Sequence, residues 1–226
     1  FLNDKNKVDY IWVPTKFHET AYTNHGINAD RLFVINEPMT FHHYFASRNN
    51  VYSNNNMNSL PTISVTNIKN NTTFRFLSVF KYEHRKGPDI LLKSYWNAFT
   101  KGIDDVELVI RSYKPSWVPG TKNLYTIFET IARKQFQKSL NQLPRVIWIS
   151  QELSRVEMVD MYKSASAFVL PTRGEGWCLP CVESMAMGLP ILVTNFSGPT
   201  EYLNSDHSYP IPVHKQLNRD CTGEPN

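Results

Sequence analysis

Short apolar runs alternate with longer amphipathic segments along most of the chain, which predicts strands that alternate with helices. Residues 8–13 and 32–35 form two strand-like runs on either side of a helical segment. Thr15 has the hydroxyl group of a good N-cap at the start of that segment, and Gly26 is typical of its end. The first part of the chain is therefore predicted to form a strand, a helix and a second strand.

The alternation becomes regular from residue 74 onward. Strand-like apolar runs are separated there by amphipathic segments that are long enough for helices. Ser154 and Glu157 have the spacing of a capping box, which marks the start of one helix. The predicted strands are 74–80, 106–111, 145–149, 167–170, 190–193 and 209–213, and further helices are predicted at 88–100, 124–140 and 180–187.

Strands that alternate with helices form a parallel sheet with helices on both faces. With right-handed crossovers, the pattern predicts an α/β fold with a Rossmann-like, doubly wound parallel sheet. Asparagine and other polar residues dominate 47–72, where too few apolar side chains are present to offset the entropy of ordering the chain. We therefore expect a disordered insert at 47–72, between a segment at 1–46 and a domain at 73–226.

Composition and charge exclude several classes of protein. Of the 226 residues, 41% are hydrophobic and 19% are charged, as in a folded globular domain. A formal net charge of +4 is too small to indicate a nucleic-acid partner. No apolar run reaches the roughly 18 residues of a membrane span, so membrane association is not visible in the sequence.

Cysteine usage bears on the compartment. The chain has three cysteines, Cys178, Cys181 and Cys221. An odd and sparse count argues against a disulfide-rich secreted domain and favours a reducing compartment. We therefore expect the protein in the cytoplasm or on the cytoplasmic face of a membrane.

Ligands of doubly wound sheets bind at the carboxyl ends of the strands, where the first candidate loop lies. This loop, 81–87, contains Lys81, Arg85 and Lys86 just before a predicted helix. Cations beside a helix N-terminus form a good site for phosphate. A solvated basic turn is the alternative interpretation, but the position at the ligand-binding edge favours phosphate.

The second candidate loop, 171–180, contains Glu175, and Glu183 follows in the predicted first turn of the next helix. Carboxylates accept hydrogen bonds from the hydroxyl groups of a sugar or a ribose. The amides of 177–179, at the helix N-terminus, are free to bind a diphosphate. Compensation of the helix dipole would explain Glu183 alone, but it does not explain the pair of glutamates.

The stretch from Glu175 to Thr194, EGWCLPCVESMAMGLPILVT, closely resembles the Glu-x7-Glu signature of retaining glycosyltransferases of family 4, which have the GT-B fold. Loop 81–87 resembles the phosphate loop of that family: Lys86 matches its Lys, Lys81 replaces its usual Arg, and Phe80 replaces its usual Gly. The resemblance extends through residues 9–38. It implies that 1–46 is the end of an N-terminal acceptor domain with its linker, and that 73–226 is a nucleotide-sugar-binding domain truncated at its C-terminus.

The resemblance implies a hexosyltransferase that transfers a sugar with retention from a UDP- or GDP-sugar to a glycan, lipid or protein acceptor. Lys81 and Lys86 would neutralise the leaving diphosphate, and Glu175 would contact the sugar hydroxyls. The other donor-binding residues would be Gly176, Trp177, Cys178 and Leu179, which cover the sugar and phosphates, and Glu183, which holds the ribose. No cofactor or metal is expected, and the chain without the rest of the acceptor domain is expected to be inactive.

Other interpretations stay open. A non-catalytic nucleotide-sugar-binding module would have the same donor-side residues. Residues 177–181, Trp-Cys-Leu-Pro-Cys, imitate the thioredoxin motif, although that interpretation leaves the glutamates unexplained, and cysteines that only pack in the core are simpler. No second Cys or His pair has the spacing of zinc ligands, and His42, His43, Asp104 and Asp105 are expected in solvated positions.

Overall fold

The computed structural model describes residues 8–39, 73–113 and 124–213, which form two parallel sheets and the helices between their strands. The smaller sheet pairs β1 (Ile11–Val13) with β2 (Leu32–Val34). Helix α1 (Lys16–Asn24) connects the two strands, and the Thr15 side chain caps it by accepting a bond from the amide of His18. The predicted strand–helix–strand unit is confirmed, with shorter strands.

The larger sheet has six strands in the order β5-β4-β3-β6-β7-β8. All neighbouring strands are parallel, so they are joined by crossovers rather than by hairpins. This confirms the predicted α/β, Rossmann-like sheet. Its strands are β3 (Phe74–Lys81), β4 (Val106–Tyr113), β5 (Arg145–Ile149), β6 (Ala167–Leu170), β7 (Ile191–Thr194) and β8 (Tyr209–Ile211).

Among the described residues, four α-helices lie between these strands: α2 (Pro88–Ala98), α3 (Leu124–Ile131), α4 (Arg155–Ser164) and α5 (Leu179–Ala186). The predicted capping box of Ser154 and Glu157 is present at the start of α4. The helix predicted over 124–140 is wrong in its second half. After α3 the chain forms a π-helical turn, Ala132–Phe136, and Gln137 (φ 54°) then leaves the right-handed helical region and ends it.

The core lies on both faces of the larger sheet. Residues 107–110 of β4 are all buried, whereas a strand with one solvated face would alternate between buried and exposed positions. Leu77 of β3 and Phe168 of β6 have no exposed surface, and neither have Leu92 of α2 and Tyr162 of α4, which belong to the same core. These helices therefore hold the central strands, and with them the loops at the strand ends, in fixed positions.

Helix α1 packs against the turn that follows β7. The rings of Phe17 and Phe196 meet edge to face, with their centroids 5.3 Å apart. The backbone amide of Lys16 donates a hydrogen bond of 2.8 Å to Oε2 of Glu201. This carboxylate satisfies a free amide at the helix N-terminus and interacts favourably with the helix dipole. The unit that contains the smaller sheet is thereby joined to the carboxyl edge of the larger one.

The strand order reverses between β3 and β6, which lie side by side in the sheet. The chain leaves β3 toward one edge of the sheet and β6 toward the other, which opens a crevice for ligands at their carboxyl ends. The loops after these two strands also approach each other closely. Gly87 has a left-handed conformation (φ 70°), and a Cβ added to it would overlap the carbonyl oxygen of Pro171.

Several predictions fall on residues that the structure does not describe. The Asn-rich insert at 47–72 lies outside the described residues, as do His42, His43 and Cys221. The proposed division of the chain into three segments therefore stays a prediction.

Replacement of Gly87 by alanine is expected to destabilise the fold more than the same change at Gly102. Both glycines have positive φ, so both variants bear a backbone cost of about 1–2 kcal/mol. Only at Gly87 does the new methyl group collide with another backbone, which adds about 1–3 kcal/mol. Urea unfolding of the two variants beside the parent measures the difference. Equal losses of stability in both variants would contradict the close contact between the loops.

Candidate active site

The loop after β3 places basic side chains at the carboxyl edge of the sheet. Lys81 is the last residue of β3, and a 3-10 turn, His84–Lys86, follows it. Gly87 ends this turn and precedes α2, whose first residue is Pro88. Because the left-handed Gly87 turns the chain sharply, the basic turn lies directly beside the loop after β6.

The carboxylate of Glu175, in the loop after β6, is buried where the two loops meet; the residue is 7% exposed. Its Oε2 accepts hydrogen bonds from Nζ of Lys86 at 2.5 Å and from Nη1 of Arg85 at 3.4 Å. Its Oε1 accepts a hydrogen bond of 2.8 Å from the hydroxyl of Thr172. Both oxygens therefore have partners, as a carboxylate removed from water requires.

The backbone of Glu175 is held by the turn after β7. Its amide donates to the Ser197 hydroxyl at 2.8 Å, and its carbonyl accepts from the Gly198 amide at 3.0 Å. Gly198 has no room for a side chain, because a Cβ would overlap the carbonyl oxygen of Gly176. Ser197 itself has a φ of 61°, which is uncommon for a residue other than glycine. Three loops together therefore position Glu175.

A second ion pair joins the same two loops. Arg173 donates bidentately to Asp89, with both Nη–Oδ distances at 2.9 Å, and its Nη1 also donates to the carbonyl of His84. Asp89 lies in the first turn of α2, where the helix dipole favours a negative charge. Burial by itself would raise the pKa of Asp89, but the hydrogen bond and charge of Arg173 outweigh it and lower that pKa below its ordinary value.

Trp177, which lies in the loop after β6, is anchored by Tyr202. The Tyr202 hydroxyl donates to the carbonyl of Trp177 at 2.7 Å, and the two rings meet edge to face at 5.3 Å. Burial raises the pKa of Tyr202, and the negative charge of Glu175 raises it further, so the hydroxyl stays a donor. The indole nitrogen of Trp177 is buried without a hydrogen-bond partner among the described residues.

Two residues at the end of β4 were not foreseen from the sequence. The Nε of Arg111 and the hydroxyl of Ser112 are buried and find no hydrogen-bond partner in the described part of the chain. The guanidinium group of Arg111 lies over the ring of Tyr113, 5.7 Å from its centroid. Their position after a predicted strand was the available signal, because this edge of the sheet binds ligands. Unpaired buried donors at such an edge are candidates for ligand contacts.

Glu183 lies in the second turn of α5, not in the first as predicted, because the helix already begins at Leu179. Cys178 precedes the helix with a left-handed φ of 72°. Oε2 of Glu183 accepts a hydrogen bond of 2.6 Å from the hydroxyl of Tyr162. The two glutamates of the predicted pair are therefore held by different partners.

Cys178 and Cys181 form a disulfide bond, with their Cα atoms 5.3 Å apart. The cysteine count gave no sign of this bond, since it argued against a disulfide-rich secreted domain and favoured a reducing compartment. Both side chains are nevertheless buried in the main core, as packing residues would be. The first turn of α5 brings Cys181 back to the residue that precedes the helix, because positions three apart are neighbours on a helix. A disulfide between Cys178 and Cys181 does not support the expected reducing compartment.

Within residues 8–39, 73–113 and 124–213, no three side chains of the His, Cys, Asp and Glu types are grouped so that they could hold a metal ion. Asp104 lies before β4, at the amino edge of the sheet and away from the two loops. Its Oδ2 accepts a hydrogen bond of 2.6 Å from the amide of Thr100, as expected for a residue in a turn.

Both loops, and the strands before them, lie within a region that a known family matches. The family model described as glycosyl transferases group 1 matches residues 61–216. The chain belongs to this family. The resemblance to GT-B glycosyltransferases is thereby confirmed, whereas membership of family 4 and retention of configuration stay predictions.

Curated relatives are similar in sequence to this chain over part of their length. An uncharacterised glycosyltransferase of Haemophilus influenzae is 31% identical over 150 residues, which is 66% of this chain and 37% of the relative. A sucrose synthase of Solanum tuberosum is 35% identical over 86 residues, which is 36% of this chain and 10% of the relative. This chain thus corresponds to a minor part of each of these relatives.

Solved structures of glycosyltransferases share the fold. A glycosyltransferase of Rickettsia africae superposes with a TM-score of 0.69 at 12% identity, over 96% of this chain and 54% of that one. HepE of Anabaena, solved in complex with UDP-glucose, superposes with a TM-score of 0.67 at 12% identity, over 96% of this chain and 53% of that one. The chain therefore spans about half of these proteins.

The family match also covers the Trp-Cys-Leu-Pro-Cys segment, so the thioredoxin interpretation has no support from the fold or from the relatives. The helices of the described ranges are all too short or too polar to span a bilayer.

The Asp89→Asn variant is expected to be less stable than the parent by about 1 kcal/mol at neutral pH, because it loses one charge of a bidentate ion pair. The folded pKa of Asp89 is lowered, so its contribution is present above the unfolded-state pKa of about 3.9 and is lost as the pH falls through the folded value. Thermal unfolding between neutral and acidic pH should show the two melting temperatures converging in acid. An Asp206→Asn variant, changed at an exposed turn, is the control, and a gap that persists in acid would contradict the ion-pair explanation.

Reduction of the Cys178–Cys181 disulfide is expected to lower the free energy of unfolding by about 2 kcal/mol, because the bond closes only a short loop. The experiment uses a Cys221→Ser background, so that only this pair can react. Alkylation before and after reduction, followed by peptide mass spectrometry, reports the pairing, and urea unfolding reports the stability. Full alkylation of both cysteines in native, unreduced protein would show that they are not paired.

Proposed function

We propose that this chain binds a UDP-sugar or a GDP-sugar, the donor of a hexosyltransferase. The whole protein then transfers the sugar to an acceptor with retention of configuration. The observation that carries the proposal is the Glu175 carboxylate, held by Lys86 at 2.5 Å where the strand order reverses. That position is the ligand-binding edge of a doubly wound sheet. A neighbour of the same fold, HepE, was solved with UDP-glucose, which favours UDP.

The basic loop after β3 receives the diphosphate in this proposal. Lys86, with Lys81 at the end of β3, stabilises the negative charge that develops on the leaving diphosphate. Charge stabilisation by groups that are already in place is the largest contribution that such a site can make to transfer. Because Glu175 holds Lys86, and Thr172 holds Glu175, before the donor arrives, little reorganisation is needed.

The loop after β6 receives the sugar and the ribose. Glu175 keeps its contact with Lys86 and also accepts hydrogen bonds from the sugar hydroxyls. The backbone at Gly176, Trp177, Cys178 and Leu179 covers the sugar and the phosphates. The N-terminus of α5, the positive end of its helix dipole, suits an anionic diphosphate. Glu183 accepts hydrogen bonds from the ribose. No cofactor and no metal ion takes part, since the lysines and the helix N-terminus supply the positive charge.

Transfer itself requires an acceptor beside the donor in a site from which water is excluded. This chain corresponds to about half of the glycosyltransferases that it superposes on, so we propose that it binds the donor alone and transfers no sugar without an acceptor domain. The acceptor is a glycan, a lipid or a protein. A non-catalytic donor-binding module is the second candidate, and a transfer assay with the full-length protein separates the two.

Replacement of Lys86 by glutamine is expected to weaken the binding of UDP or GDP by about ten- to a hundredfold, since it removes a charged hydrogen-bond donor. Isothermal titration calorimetry of this chain with each nucleotide measures the change. The matched control is Lys134→Gln, which removes the same charge from an exposed residue of the π-helical turn after α3.

Because Lys86→Gln leaves the buried Glu175 with one partner fewer, Glu183→Gln is tested beside it, and circular dichroism checks the fold of both variants. Weaker binding in both, with Lys134→Gln at the parent value, supports the assignment. No binding of UDP or GDP to the parent chain, or equal binding by the parent and both site variants, would overturn it.

A further inference from the structure

A buried tyrosine that the sequence analysis did not single out holds one oxygen of Glu183. Tyr162 lies near the end of α4, the helix that precedes β6, and it has no exposed surface. Its hydroxyl donates a hydrogen bond of 2.6 Å to Oε2 of Glu183 on α5. A short bond from a buried hydroxyl to a carboxylate is among the stronger hydrogen bonds in proteins.

Both ends of this hydrogen bond rest on rigid elements. The start of α4 is fixed by the capping box of Ser154 and Glu157, and Met161 beside Tyr162 is buried as well. On the other side, the disulfide between Cys178 and Cys181 ties the first turn of α5. The tyrosine ring therefore has one place to occupy, and its hydroxyl acts as a fixed point.

A glutamate has three rotatable side-chain bonds, so a half-buried carboxylate without a partner occupies several rotamers. A ligand that binds only one of these rotamers loses affinity, because the side chain gives up conformational entropy when it is fixed in that rotamer. A hydrogen bond from a fixed donor removes that cost before the ligand binds, which is the general basis of preorganisation.

We propose that Tyr162 is a positioning residue of the donor site, which holds Glu183 so that its second oxygen, Oε1, accepts the hydroxyls of the ribose. The inference rests on the proposed function and adds to it the residue on which the ribose contact depends. Tyr162 itself touches no substrate. Its ring belongs to the core, and only its hydroxyl serves the site.

Tyr162→Phe separates these two roles, because it keeps the ring and removes only the hydroxyl. The matched control is Tyr95→Phe. Tyr95 is also buried, and its hydroxyl donates a hydrogen bond of 3.0 Å to the carbonyl of Arg145, at the first residue of β5 and thus at the opposite edge of the sheet. Each variant loses one buried hydroxyl from the same core, but only one of them loses it next to the donor site.

Calorimetry with UDP and with GDP is expected to show two- to tenfold weaker binding for Tyr162→Phe, and parent-like binding for Tyr95→Phe. The same change in a Glu183→Ala background is expected to have no further effect, because a positioning residue acts only through the group that it positions. In the full-length enzyme, Tyr162→Phe should raise KM for the donor and leave kcat unchanged, since the ribose contact is equal in the ground and transition states.

Three results would overturn the inference. Binding by Tyr162→Phe at the parent value, while Glu183→Ala binds more weakly, removes the positioning role but leaves the proposed function standing. An undiminished effect of Tyr162→Phe in the Glu183→Ala background assigns the hydroxyl a structural role instead. A parent chain that binds neither UDP nor GDP refutes the proposed function, and the positioning role falls with it.

Discussion

The loops at the carboxyl edge of the larger sheet depend on one buried carboxylate. Glu175 is almost fully removed from water, and an isolated charge in that position would be costly. Lys86, Arg85 and Thr172 offset that cost, and each of them comes from one of the two loops at the carboxyl edge of the sheet. Separation of the loops would break the ion pair between Glu175 and Lys86, so this pair helps to hold the two loops together.

The topology makes this ion pair possible. β3 and β6 are neighbours at the point where the strand order reverses, so the loops that follow them open toward the same crevice. Two glycines permit the close approach. Gly87 brings the first loop against the carbonyl of Pro171, and Gly198 brings the turn after β7 against that of Gly176. A side chain at either position would collide with one of these carbonyl groups and push the loops apart.

The turn after β7 also connects the site to the smaller sheet. Ser197 and Gly198 hold the backbone of Glu175, while Phe196 and Glu201, on either side of them, contact helix α1. Helix α1 is thus anchored to the same turn that positions the carboxylate.

Local patterns were sufficient for much of the fold. Strand β6 and the capping box of Ser154 and Glu157 were predicted at their observed positions, because apolar runs and cap residues act on their near neighbours in the chain. The two loops and their glutamates could also be found, because residue type and the end of a predicted strand are both visible in the sequence. The helix predicted over 124–140 failed in its second half, where nothing in the residue types announced the left-handed Gln137.

Which of these residues contact one another depends on the tertiary structure. Lys86 and Glu175 are 89 positions apart, and only the adjacency of β3 and β6 brings them to 2.5 Å. The hydrogen bond from Tyr162 to Glu183 joins two helices, and the Cys178–Cys181 disulfide depends on where α5 begins. Residue types and predicted strand ends were enough to identify the candidate residues and the edge of the sheet where they lie. Their pairing followed only from the packing, because contacts between distant residues depend on strand order and helix position, which no local pattern encodes.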